Sequence, residues 1–170
     1  MQWIPPHARI QGAVDEKRDA DRFAFEVPHR GLLELRFSSV SGMAPQVLFR
    51  NGEGHSIGSW RKPSLNGGAS EVLPLDLATA GPYSIEIGDS AGGEGGSYVA
   101  ELVYVPGDAH EPNASYGDVT RIPSIGTVEG TILPLADHDF FRFETDRRGS
   151  LELVVSRVPA GFEPALILKN

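Results

Sequence analysis

Serine, histidine and acidic side chains recur along this chain of 170 residues, so the first question is whether any set of them is spaced for chemistry. His55-Ser-Ile-Gly-Ser59 supplies a base and two hydroxyls but lacks the Gly-x-Ser-x-Gly elbow that presents a nucleophile, so it reads as a turn. Glu26, Glu34, Glu86 and Glu144 alternate with apolar residues, which puts them on the solvent side of strands and not in the facing pair that glycoside hydrolysis needs. The run from Gly88 to Ser97 is glycine-rich but has no Lys-Ser/Thr after it and leads into a strand, so it does not suit a phosphate. His110 and His138 stand beside carboxylates, yet nothing fixes them at the spacing of an imidazole ligand pair. Two Asp-x-Asp pairs, Asp19/Asp21 and Asp137/Asp139, have the residue types that shape tight turns by accepting backbone N–H groups. Trp3, Trp60, Tyr98 and Tyr116 lie outside the obvious apolar stripes and are candidates for a sugar or peptide platform, with packing as the alternative fate. Asn113-Ala-Ser115 matches a glycosylation sequon, which matters only in a eukaryotic secretory route.

The elements that would carry these residues are short. Twenty glycines and thirteen prolines punctuate the chain densely, and no ten-residue window holds a 3.6-residue apolar period. Alternation is clear in Arg22–Val27, Leu33–Phe37, Tyr83–Ile87 and Tyr98–Val105, the last two reading as a hairpin with a long tip. Gln46–Phe49, Glu71–Leu75, Thr127–Ile132, Asp139–Thr145, Leu151–Val155 and Ala165–Leu168 are further strand candidates. Strands with one apolar face must bury it against another sheet, so the expected fold is all-β, a jelly-roll-like sandwich. Hydrophobic residues make up 40% of the chain and charged residues 22%, as in a folded domain. The formal charge of −8 disfavours nucleic acid as a partner. The absence of cysteine rules out disulfides, thiolate metal sites and thiol nucleophiles. No apolar run is long enough for a membrane span, and the start of the chain has no signal-peptide pattern.

The chain also repeats itself. Gly12–Leu35 lies over Gly130–Leu153 at a constant spacing of 118 residues, and Pro45–Asn51 lies over Pro164–Asn170 after one added residue. About 15 identities fall within about 40 aligned positions, including Asp19/Asp137, Asp21/Asp139, Phe23/Phe141 and Phe25/Phe143. The expected organisation is a first sandwich over 1–106, a polar connector over 107–125, and the first half of a second sandwich over 126–170. Half a sandwich leaves strand edges and an apolar face open, so either the chain is a piece of a longer protein or a partner completes the second unit.

Asp108-Ala-His-Glu-Pro-Asn113, then Thr127-Val-Glu-Gly-Thr131, Asp137-His-Asp-Phe-Phe-Arg-Phe-Glu144 and Gly149-Ser-Leu-Glu-Leu153, resemble the bacterial pre-peptidase C-terminal domain. The first repeat carries the same pattern from Gly12 through Asp19–Glu26 to Gly31–Leu35, without the Glu-Pro-Asn segment. The resemblance implies a non-catalytic β-sandwich from a secreted or cell-surface bacterial protein, attached to catalytic or surface domains of a longer parent. It also implies that the module could bind polysaccharide or a matrix protein; a hydrolase is a remote alternative. Carried over by position, calcium ligands would be Glu111, Asn113, Asp137 and Asp139, with Asp108 a weaker addition. Carboxylate and amide oxygens suit Ca2+, which takes six to eight of them. In the structural alternative the Asp-x-Asp pair only shapes a turn and Glu-Pro-Asn is a solvated linker. Asp19 and Asp21 lack such connector partners.

Overall fold

The computed structural model describes every residue except 16–18, 40–42, 62–69, 91–94, 114, 134–136 and 170. The described residues form strands and no helix, so no helix there is long and apolar enough to cross a membrane. The strands are β1 (Gln2–Trp3), β2 (Ala8–Val14), β3 (Ala20–Val27), β4 (Gly31–Ser39), β5 (Pro45–Asn51), β6 (Ser56–Arg61), β7 (Ser70–Leu77), β8 (Gly81–Asp89), β9 (Gly96–Pro106), β10 (Thr120–Arg121) and β11 (Phe141–Arg142). The first nine build an all-β sandwich of a five-stranded sheet, ordered β1-β3-β8-β5-β6, and a four-stranded sheet, ordered β2-β9-β4-β7.

Period-two alternation fixes which side of each strand is buried. Phe23, Phe25 and Val27 of β3, Val47 and Phe49 of β5, and Tyr83, Ile85 and Ile87 of β8 point from one sheet. Leu33, Leu35 and Phe37 of β4 and Tyr98, Ala100, Leu102 and Tyr104 of β9 point from the other to meet them. Aromatic rings knit the layers: Phe37 lies 5.6 Å from Tyr98 and 5.8 Å from Trp60 between ring centroids. Each such side chain withdrawn from water contributes about 1.5–3 kcal/mol. Pro74 stands inside β7, where an edge position spares the sheet a missing N–H.

The ladders are interleaved. β2 pairs with β9, β3 with β1 and β8, β4 with β7 and β9, and β5 with β6 and β8. No two of β2, β3, β4 and β5 bond to each other. The expected hairpin across 88–97 is accordingly replaced by an arch: β8 and β9 lie in opposite sheets, because each completes a ladder with earlier strands. Residues 91–94 of that connection lie outside the described residues.

The same topology accounts for the other departures from expectation. Of the strands expected at 127–132, 139–145, 151–155 and 165–168, only Phe141–Arg142 is in a ladder, the short parallel pair β10–β11. Their counterparts in the first sandwich all bond to strands from β6–β9, and among the described residues of 126–169 no such partners are paired with them. Strand propensity without a partner leaves backbone groups to water. The strands β1, β2, β6 and β10 escaped the sequence reading, since each has too few apolar residues to show a period.

Leu35 and Leu153 occupy equivalent positions in the repeat but differ in environment, the first fully buried and the second 53% exposed. Leu35→Ala is expected to cost about 2–5 kcal/mol, and Leu153→Ala to stay within about 0.5 kcal/mol. Urea unfolding followed by tryptophan fluorescence measures both.

Candidate cation site at the connector

Gly107 donates its N–H to Arg30 O at 2.8 Å and so ties the connector to the sandwich where β9 ends. The connector then folds on its own polar side chains. Asp108 Oδ1 accepts His110 N–H at 2.8 Å, and Asp108 Oδ2 accepts Thr131 N–H at 2.6 Å. Glu111-Pro112 is a cis peptide bond, and Glu111 Oε2 accepts Asn113 N–H at 3.2 Å. Asn113 O in turn accepts Phe140 N–H at 2.9 Å, which brings the second Asp-x-Asp pair alongside. Asp137 Oδ2 accepts Leu133 N–H at 2.8 Å.

These bonds converge Glu111, Asp137 and Asp139, one oxygen from each lying within 4.8 Å of the others. The carboxylates of Glu111 and Asp137 are almost wholly buried, and Asn113 is completely so. The resident cation is Arg30, from the turn before β4. Its Nη1 donates to Glu111 at 3.0 and 2.9 Å and to Asp137 Oδ1 at 2.9 Å, while Nη2 donates to Asp76 Oδ2 at 3.3 Å. Burial would lower the Arg30 pKa, but the hydrogen bonds it donates to Glu111, Asp76 and Asp137 outweigh it and hold the guanidinium above its usual range.

One guanidinium does not balance the site. Asp108, Glu111, Asp137 and Asp139 bring four carboxylates to it, and Asp139 has no hydrogen bond to Arg30 among the described residues. Burial, reinforced by Asp108 and Asp137, pushes the Asp139 carboxyl up to about 6. Asn113 favours its charged form and so pulls the other way. Nevertheless Asn113 Oδ1, Asn113 Nδ2 and Asp139 Oδ1 are buried with no well-formed hydrogen bond among the described residues. Orphaned polar atoms of this kind carry a real penalty unless a partner arrives. Of the expected ligands, then, Asn113 and Asp139 offer oxygens that are free, while Glu111 and Asp137 offer oxygens shared with Arg30. The donor set is all oxygen, as a hard cation requires.

The first Asp-x-Asp pair has a different role. Asp19 Oδ2 accepts Asp15 N–H at 3.2 Å, and Asp21 Oδ2 accepts Tyr98 Oη–H at 2.6 Å. Burial and then Asp21 raise the Tyr98 pKa, keeping the phenol protonated as the donor. Tyr98 is therefore a core residue and not part of a ligand platform. Trp60 packs against the core, Trp3 is exposed on β1, and Tyr116 stands on the connector against Phe140, so the four aromatic candidates share no surface. His55 pairs with Glu53 at 3.1 Å on the surface, and His110 packs edge-on against Phe141. Glu34, Glu86 and Glu144 are spent in ion pairs with arginines.

Arg30 was not singled out from the sequence. The signal that could have found it is its recurrence at Arg148 in the repeat, one residue before an equally recurrent glycine.

No family model matches the chain, and no curated protein matches it. Solved structures do. The pre-peptidase C-terminal domain of a Bacillus anthracis collagenase aligns over 60% of this chain and 93% of its own, with 13% identity and a TM-score of 0.50. PliG, a periplasmic inhibitor of g-type lysozyme from Salmonella Typhimurium, aligns over 62% of this chain and 99% of its own, with 15% identity and a TM-score of 0.41. At such identities the likeness is one of fold, and this chain has the fold of a pre-peptidase C-terminal domain.

Replacing Arg30 with methionine leaves Glu111 and Asp137 buried without their cation and is expected to cost about 3–5 kcal/mol. Adding Glu111→Gln and Asp137→Asn to that variant removes the unpaired charges and restores part of the loss. Thermal unfolding of the single and triple variants at one pH reads both effects.

Proposed function

We propose that this chain is a non-catalytic accessory module of a secreted or cell-surface bacterial protein, clasped by calcium where the connector meets the second Asp-x-Asp turn. In this reading the module is one sandwich plus the opening half of another, attached to the working domains of a longer protein. The motifs of the connector and the fold of the sandwich both support the module assignment. Against catalysis stands the deployment of the candidate groups, since Glu34, Glu86 and Glu144 are tied up in surface ion pairs and no nucleophile and base are brought together among the described residues.

The observation that carries the calcium reading is Asn113, fully buried with both ends of its carboxamide unsatisfied beside an excess of carboxylates. Asn113 and Asp139 would hold the ion with oxygens that are otherwise idle, and Glu111 and Asp137 would share theirs between the ion and Arg30. Bound there, calcium supplies charge neutralisation and no reaction chemistry. The chain's own residues do the rest: Asp108 and Asp137 fold the turns, and Arg30 anchors the connector to the first sandwich. A ligand that binds only the folded form stabilises it by about 2.7 kcal/mol at a hundred times its dissociation constant.

Calorimetric titration of calcium into EDTA-stripped protein is expected to show saturable binding with a rise in melting temperature. Asp139→Asn and Asn113→Ala should each abolish it, while Asp21→Asn, at the repeat-equivalent position, should leave it in place. Absence of saturable heat and of any thermal shift in the unaltered protein would overturn the calcium clasp and leave the carboxylates as a turn-forming cluster.

A further inference from the structure

Glu111 and Asp137 are the two expected ligands whose oxygens are all in use. Glu111 Oε1 accepts from Arg30 Nη1, and Oε2 accepts from the same Nη1 and from Asn113 N–H. Asp137 Oδ1 accepts from Nη1, and Oδ2 accepts from Leu133 N–H. Both side chains are 1% exposed, so water adds little to this set. Nη1 therefore faces three carboxylate oxygens with two hydrogens. Its contact with Glu111 is forked from a single nitrogen, unlike the two parallel N–H bonds that make an arginine–carboxylate pair strong.

The guanidinium also has a partner outside the cluster. Nη2 donates to Asp76 Oδ2 at 3.3 Å, and the Asp76 side chain on β7 is 44% exposed. Arg30 can thus release Glu111 and Asp137 without becoming an unpaired charge. Asn113 and Asp139 do not depend on it: Asn113 Oδ1 and Asp139 Oδ1 are buried with no well-formed hydrogen bond among the described residues.

We propose that Arg30 is the built-in competitor of the cation site, holding Glu111 and Asp137 in the ion-free protein, yielding them to a divalent cation and falling back on Asp76. The inference rests on the calcium reading above and adds that the ion and the guanidinium are alternatives for the same oxygens. Two cations drawing on one buried carboxylate repel each other with little screening from water or salt. Glu111 belongs to the connector and Asp137 to the second Asp-x-Asp turn, while Arg30 and Asp76 belong to the first sandwich. Ion binding is accordingly exchanged against the side-chain tie between the sandwich and the connector.

The test titrates calcium calorimetrically into the EDTA-stripped whole chain, unaltered and carrying Arg30→Met, Asp76→Asn or both, with thermal melting to show that each is folded. Arg30→Met is expected to bind about 10-fold more tightly than the unaltered protein, although it is less stable without the ion. Asp76→Asn is expected to bind about threefold more weakly, and to lose that effect in the Arg30→Met background, which separates the handover from the Asp76 charge acting at a distance. In the unaltered protein the Arg30 Nη signals in nitrogen-15 NMR should be resolved without calcium, where Nη1 is held, and broaden at saturation. If Arg30→Met does not fold, Asp76→Asn and the Nη signals decide. Weaker binding by Arg30→Met, no effect of Asp76→Asn, an effect that persists in the double variant, or Nη signals indifferent to calcium would overturn the exchange and leave the calcium reading standing. Binding by Arg30→Met but not by the unaltered protein would overturn the calcium reading and support the competition, with the guanidinium as winner. Binding by neither overturns both.

Discussion

The strands β2, β3, β4 and β5 never hydrogen-bond to one another, and this interleaving governs everything else in the molecule. A sheet whose neighbours alternate between an early and a late part of the chain cannot be built from either part alone. Its stability is gained only when long-range ladders close, with loop entropy spent beforehand. In the first sandwich β6–β9 supply the closing strands, and the apolar faces of both halves disappear into one core. Among the described residues of 126–169 only Phe141 and Arg142 are in a ladder, and they pair with Thr120 and Arg121 of the connector.

Polar groups mark the seams of this arrangement. The Tyr98 hydroxyl on Asp21 ties the four-stranded sheet to the five-stranded one, and Tyr104 donates to His29 O at 2.8 Å above Gly31. Each takes its donor from a buried tyrosine, so the net gain per bond is modest but the penalty for leaving that hydroxyl without its acceptor is larger. Arg30 extends the same logic beyond the sandwich. By spanning Asp76, Glu111 and Asp137 it joins strand β7, the connector and the second Asp-x-Asp turn around a single guanidinium. The surplus of carboxylates around it gives the connector its chemical character and distinguishes the second turn from the first, where Asp21 is satisfied by a phenol.

Much of this was legible in the residues. Alternation located β3, β4, β5, β7, β8 and β9, because those strands bury one face against a core and every second residue must therefore be apolar. Gly31 and Gly12 recurred in the repeat with the Asp-x-Asp pairs and the paired phenylalanines. Short edge strands such as β1 and β6 were not visible, since an edge needs backbone partners more than apolar side chains. The arch between β8 and β9 was likewise hidden: two adjacent alternating strands look like a hairpin whether they pair with each other or with strands from elsewhere. The carboxylate cluster beside Asn113 was half visible, through Glu111, Asp137 and Asp139, while its counter-ion Arg30 lies about eighty residues earlier in the chain.

By itself, then, the sequence determined the fold class and the alternating strands of the first sandwich, both of which follow from residue type and local period. Tertiary structure decided which strands pair, that Tyr98 serves the core and not a surface, and that Arg30 stands among the carboxylates. The physical reason is that backbone hydrogen bonds and ion pairs are satisfied by whatever the fold brings within about 3 Å, and the partners here are separated by tens of residues along the chain.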